Sequence, residues 1–278
     1  MRAQQLIPCS LVAIAMLLSS CVTDDFNDLA KGFAPLTPTD AALMASDQHS
    51  PDERREGITL LANSPFGGAP PYVKMYRDYI LEDSDALVRA AAIKALARYA
   101  ETSDAEIIVP WLNKAGSSSV QVRREAALAL QRIHNPVVVG ALLHSLSDEN
   151  EEPTVRTFSA IALGHYPEDR VLIGLISSLE ANELTLNLAA AESLHILTGH
   201  VFGMDRFAWF EWYIAERDSG RDPFQAMTVF EYPTFRYAAR WYDRFVFWEQ
   251  RNEERPNVPV GLEDPTRRST YGDNTVLQ

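Results

Sequence analysis

Val88-Arg89-Ala90-Ala91-Ala92-Ile93-Lys94-Ala95-Leu96, Val122-Arg123-Arg124-Glu125-Ala126-Ala127-Leu128-Ala129-Leu130 and Val155-Arg156-Thr157-Phe158-Ser159-Ala160-Ile161-Ala162-Leu163 superimpose without a gap. Their starts lie about 33–34 residues apart, the period at which helical arrays repeat. Each copy carries the same ladder: Val88, Ala92, Leu96 and Tyr99, then Val122, Ala126, Leu130 and Ile133, then Val155, Ser159, Leu163 and Tyr166. That spacing puts every ladder on one stripe of a helix. After a short break a second apolar helix is predicted in each copy, over 107–114, 137–146 and 171–179. One helix pair cannot bury both stripes, whereas stacked pairs can. Small residues such as Ala91, Ala127 and Ala160 let the helices approach closely.

Two weaker copies flank the three. Upstream, 53–61 keeps the arginine as Arg54, behind a Ser50-Pro51-Asp52-Glu53 capping box, and its second helix is predicted over 72–81. Downstream, 186–194 keeps the ladder but has Asn187 at the arginine position. The expected fold is an all-α solenoid of about five helix pairs over residues 50–198. The pattern Val-Arg-x-x-Ala-x-x-Ala-Leu, followed by a loop and a helix such as 137–143, resembles bacterial HEAT repeats of the PBS-lyase-like kind. That resemblance covers about half the chain. It implies helical hairpins and protein–protein contact, and it leaves the function open.

The chain opens on Met1 and Arg2, an apolar run over 11–18, and Leu18-Ser19-Ser20-Cys21. This is the layout of a signal peptide, residues 1–20, and the run is too short to span a bilayer. Its end resembles the bacterial lipobox, which implies acylation of Cys21 and a lipid-anchored protein of the cell envelope. By the same resemblance Val22 favours an outer over an inner membrane. Residues 21–49 read as a tether with a short helix near 40–45. The only cysteines are Cys9 and Cys21, so a mature chain beginning at Cys21 has no disulfide pair and no thiolate metal site. The 38 acidic against 25 basic side chains give a formal charge of −13. That balance argues against nucleic acid and against broad adhesion to anionic lipid.

Candidate chemistry is sparse. Arg54, Arg89, Arg123 and Arg156 share one repeat position and are expected to pair with acidic residues at the junctions, such as Asp83, Asp85, Asp148 or Glu151; the functional alternative is a guanidinium row for an acidic partner. The six histidines form no His-x-x-x-His or His-Glu pair on one helix and are expected at the surface or in loops. HEAT-repeat metalloenzymes hold iron with His-Glu pairs, so by resemblance no metal is expected. There is no Gly-x-Ser-x-Gly, P-loop or dinucleotide motif. No catalytic residue and no cofactor is assigned.

After Leu197 the composition changes. Residues 202–248 hold four of the five tryptophans. A Thr-Gly-x-x-Phe-Gly-x-Asp turn resembles the end segment of some bacterial HEAT-repeat proteins. Gly199 is expected to close one helix and Asp205 to cap the next, which is apolar nearly all round and so expected to be buried. A further helix is predicted over 234–250, with Ala238, Trp241, Phe245 and Trp248 on one stripe and Arg236, Arg240 and Arg244 beside it. Residues 199–250 thus read as an aromatic helical extension: a cap on the solenoid, a protein-binding platform, or an interfacial membrane helix. Trp209, Trp212, Arg236, Arg240, Trp241, Arg244 and Trp248 are the candidate partner-binding residues. Residues 251–278 read as a disordered tail. The functional expectation is a non-catalytic, membrane-anchored scaffold or adaptor for an envelope protein. The alternatives are a chromophore-lyase-like chaperone and a cell-wall or surface glycan binder using the aromatic block.

Overall fold

The computed structural model describes residues 37–233 and 256–262. The expected signal peptide, Cys21 and the helix predicted over 234–250 lie outside them. The chain divides into two compact units, Met1–Asp40 and Ala41–Gln278. Of the first, the described part is a capping turn: Asp40 Oδ2 accepts from Thr37 N at 2.9 Å and from Thr37 Oγ1 at 2.7 Å.

The second unit is an α-solenoid. After α1 (Pro38–Ala45) come five pairs: α2 (Pro51–Asn63) with α3 (Pro70–Glu82), α4 (Ala86–Leu96) with α5 (Asp104–Ile108), α6 (Val120–Leu130) with α7 (Val139–Ser147), α8 (Pro153–Leu163) with α9 (Asp169–Ser178), and α10 (Leu184–Thr198) with α11 (Arg206–Asp218). One of the predicted second helices is broken by proline, and another starts two residues late behind one. Pro110 turns the end of α5 into a 3-10 segment, Val109–Leu112, and Pro136 opens another, Pro136–Val138, ahead of α7. A proline inside a helix removes one donor and clashes with the preceding turn. Among the described residues there is no strand, only two isolated β-bridges.

The predicted ladders form the core. Val88, Ala92, Leu96, Val122, Ala126, Leu130, Ile133, Val155, Leu163, Leu186, Ala190, Leu194 and Leu197 are inaccessible to solvent. Burying one such Val or Leu side chain stabilises the fold by about 1.5–3 kcal/mol. The small residues act at the contacts between successive first helices. On α6 and α8, Ala127 and Ala160 are fully buried, and Ser193 Oγ of α10 donates to the Ala160 carbonyl at 2.9 Å.

Helix ends are closed mostly as the sequence predicts. Ser50 Oγ accepts from Glu53 N at 3.2 Å. The reciprocal bond is different: the Ser50 N–H is taken by Asp47 Oδ1 at 2.6 Å, not by Glu53. Gly199 ends α10 at φ 72°, and Asp205 Oδ1 caps α11 on the amides of Phe207 and Ala208.

Two expectations need correction. Residues 41–49 are not a free tether, because Ala41 and Ala45 are buried and Gly57 of α2 lies against the Ala45 backbone with no space for a Cβ. Residues 256–262 are not a disordered tail, because Val260 N donates to the Arg132 carbonyl at 2.9 Å and His134 N donates to Val260 O at 2.8 Å. The last pair also departs from the repeat. Arg206, at the start of α11, pairs with Glu180 just beyond the end of α9. Tyr213 and Arg217, further along, come to Asp169 at the start of α9. Helix α11 therefore runs counter to α9, whereas α9 follows α7 in register, with Gly174 beside Leu143.

From the end of α11 the chain folds back as a strap over the turns within the pairs. Phe224 is buried, and Thr228 N donates to the Ile196 carbonyl of pair five at 2.8 Å. Phe230 lies on His165 of pair four, with ring centroids 4.7 Å apart. Tyr232 is covered by the Arg132 guanidinium of pair three at 4.7 Å, and its N–H donates to Asn257 O at 3.0 Å. Gly261, at φ 87°, ends the run between Thr102 of pair two and the His134 carbonyl; a Cβ there would meet these at 2.6 and 2.7 Å.

The junction arginines are internal. Arg54 holds Asp83 through two bonds, at 2.8 and 3.2 Å. Arg123 holds Glu151 through two bonds of 2.9 Å and donates back to the Ser117 carbonyl at 2.8 Å. Arg156 bonds the Leu146 carbonyl at 3.1 Å and Glu183 at 3.4 Å. Arg89 takes the carbonyls of Ile80 and Asp83 instead of a carboxylate, and lies 4.0 Å over the Trp111 ring. Two of the acidic residues named from sequence do other work: Asp85 caps α4, and Asp148 pairs with Lys114. The guanidiniums of Arg123 and Arg156 are thus spent inside the stack. Arg123→Met strands a buried carboxylate at Glu151 and is expected to cost about 3–5 kcal/mol. Urea unfolding of Arg123→Met beside Arg123→Met/Glu151→Gln checks this; the double variant should regain part of the loss.

Candidate interaction surface

Helix α11 divides its aromatic residues between two sides. Trp209 and Tyr213, four apart and so on one stripe, turn inward and are 0% and 2% exposed. Trp209 Nε1 donates to the Gly203 carbonyl at 2.8 Å, and its ring meets Phe202 edge-on at 4.9 Å. Trp212 is half-buried, with His200 at 4.7 Å and Trp209 at 6.0 Å. The opposite side holds Phe207, 72% exposed, and Phe210, 51% exposed. Val201 and Met204, in the turn before the helix, are exposed as well. The helix is therefore only half-buried, against the expectation from its all-round apolar character.

Of the predicted partner-binding residues, Trp209 belongs to the core and is unavailable to a partner. Trp212 retains part of its surface. Arg236, Arg240, Trp241, Arg244 and Trp248 lie outside the described residues. Phe207 and Phe210 take the outward places that sequence reasoning gave to the tryptophans. The signal lay in the spacing: Trp209 and Tyr213 continue one stripe, and Phe207 and Phe210 fall off it. Exposed aromatic side chains of this kind are typical anchors in protein interfaces. On α10 a neighbouring stripe, Leu184, Leu188, Ala191 and His195, is exposed or half-exposed. The corresponding stripe of α8, Pro153, Thr157, Ala160 and Gly164, runs from half-buried to buried. The last pair thus leaves open apolar area that inner pairs cover.

The second helices of pairs three and four turn Gly140, His144 and Ser147, then Arg170, Ile173 and Ser177, to solvent. This face is shallow and mixed. The space beside Gly140 is open, with nothing within 4 Å of where a Cβ would sit. A small cleft of about 190 Å³ between pairs two and three is lined by Lys114, His144, Asp148 and Glu151. Its charges are already used, with Lys114 bonded to Asp148 at 2.8 Å and Glu151 bonded to Arg123.

Two histidines lie in loops, as expected, but away from the surface. His165 is fully buried and His134 is half-buried, and they come together from adjacent turns, with Nδ1 atoms 3.0 Å apart. They are 31 residues apart in sequence, so a search for pairs along one helix misses them. Among the described residues no three His, Cys, Asp or Glu side chains gather to hold a metal. Among the same residues no helix is long and apolar enough to cross a membrane.

The family model for HEAT repeats matches residues 108–195. HEAT repeats commonly mediate protein interactions and are generally not catalytic. No curated protein matches the chain. Among solved structures, the chain is similar to the X-ray structure of the Escherichia coli protein YibA, with 17% identity over 63% of this chain and 80% of that one, and a TM-score of 0.32.

The two sides of α11 differ in what they contribute. Trp209→Ala removes a fully packed ring and is expected to cost about 3–5 kcal/mol. Phe210→Ala is expected to change stability by less than about 0.5 kcal/mol, as exposed substitutions do. Chemical unfolding of the two variants under one set of conditions checks the contrast.

Proposed function

We propose that this protein is a non-catalytic scaffold that presents its last helix pair to a protein partner, and that lipid on Cys21 holds it at a membrane of the bacterial envelope. The observation that carries the reading is the outward aromatic side of α11: Phe207 and Phe210 stand in solvent beside Val201 and Met204, on a helix anchored from behind by Trp209 and Tyr213. Rigid support of an exposed aromatic anchor lowers the entropy lost on binding. The HEAT match supports a contact role. The lipid anchor rests on the Leu18-Ser19-Ser20-Cys21 sequence, and Val22 favours the outer membrane by resemblance. The net charge of −13 makes a basic or neutral partner surface the compatible one.

Two experiments test this. A photo-crosslinking residue placed at 207 or 210 of the full chain in cells should capture one protein in stoichiometric yield, and the same residue at Lys94 of α4 should not. Equal capture at both positions, or none at either, would refute the interface. Separately, Cys21→Ala should move the protein from the membrane fraction to the soluble envelope fraction; unchanged membrane residence removes the anchor from the proposal.

A further inference from the structure

Where the strap crosses pairs three and four it rests on two histidines. The 3.0 Å contact between His134 Nδ1 and His165 Nδ1 needs one nitrogen to carry a proton and the other to be bare. Doubly protonated, the two rings present N–H to N–H and cannot keep that contact. His165 has no solvent access, and its Nε2 has no hydrogen-bond partner. Tyr166 and Phe230 close over its ring at 4.2 and 4.7 Å. His134 stacks on Tyr166 at 4.8 Å, and its backbone N–H holds Val260. Both limbs of the strap therefore touch this pair. Phe230 lies on the ring of one histidine, and Val260 is bonded to the main chain of the other.

The charges facing the pair do little to favour a cation. Glu168, in the turn leading to α9, attracts a proton to His134, and the Leu130 carbonyl does the same for His165. Against them stand burial and the mutual repulsion of the two rings. On the pair-three side Arg132 brings a further positive charge, held over Tyr232. On the strap Glu231 is exposed to solvent.

We propose that His134 and His165 form an acid-operated latch: protonation of both rings drives them apart and lifts residues 230–232 and 257–261 off the turns of pairs three and four. Burial holds both imidazoles below the ordinary value, His165 well below it. A state that frees the rings therefore binds more protons than the docked one. Docking is complete above about pH 6.5, the free-imidazole value, and weakens as pH falls below it.

Hydrogen–deuterium exchange of the full chain at about pH 7.5 and about pH 5.5, corrected for intrinsic exchange, tests the latch across the range in which histidine titrates. Peptides covering 226–232 and 257–262 should lose protection on acidification, by up to about tenfold per pH unit for each proton taken up, while α6 and α8 keep theirs. In His165→Phe, which keeps the ring packing and leaves only His134 to titrate, strap protection should follow pH only weakly. Should that variant fail to fold, His134→Gln takes its place, with a weaker pH response expected. The latch is overturned by a strap that stays protected at the lower pH. It is equally overturned by a loss spread over the whole chain, or by a full-sized pH response in the variants.

Discussion

A helix pair of this chain exposes a hydrophobic stripe that it cannot bury by itself, and burial of that stripe against the next pair is the constraint on which the rest of the structure depends. It explains the alanines and serines on the first helices, since only small side chains allow the close approach seen where Ser193 reaches the Ala160 carbonyl. It also explains why guanidinium–carboxylate bonds occur at the junctions. Once two pairs have closed over Arg123 and Glu151, neither charge can be left alone. Such bonds need not add stability over a hydrophobic replacement, but they penalise a slipped register.

The same constraint says how the stack can end. At Asn187 the arginine position still bonds the loop behind it, through the Ala181 carbonyl at 2.9 Å. It has no guanidinium with which to reach forward to a following pair. Helix α11 then reverses direction relative to α9, and the chain turns back along the pairs it has already made. At the other end Ala41 and Ala45 pack against Gly57 of α2. The two ends are therefore finished differently: residues 41–45 cover the first pair, while the last keeps aromatic and aliphatic side chains in solvent.

Much of this architecture was legible in the sequence, because it rests on local periodicity. The ladders, the repeat length, the Ser50 and Asp205 caps and the left-handed Gly199 all follow from residue type and spacing within a few turns. What was not legible depends on contacts between distant segments. Residues 256–262 read as a tail, since nothing in Pro256-Asn257-Val258-Pro259 announces a docking site; the site is the open main chain of Arg132 and His134. The His134–His165 pair was invisible for a related reason, because its members meet only through the stacking of turns. Trp209 and Phe210 show the limit for single residues. Both are aromatic, adjacent and on one helix, and only the direction from which the core approaches decides which is buried.

The strap also changes what kind of polymer this protein is. A simple stack of helix pairs behaves as a one-dimensional array, in which each unit feels only its neighbours and may fray from either end. Here a segment made after all five pairs crosses the turns of pairs five, four and three in succession and reaches pair two. Contacts of such long sequence separation are otherwise rare in a solenoid, whose local contacts favour fast folding. The array can therefore assemble pair by pair during synthesis, and a final, slower step ties four of its pairs into one cooperative block. Loss of the last few dozen residues would thus remove not one unit from the end but the coupling along most of the length.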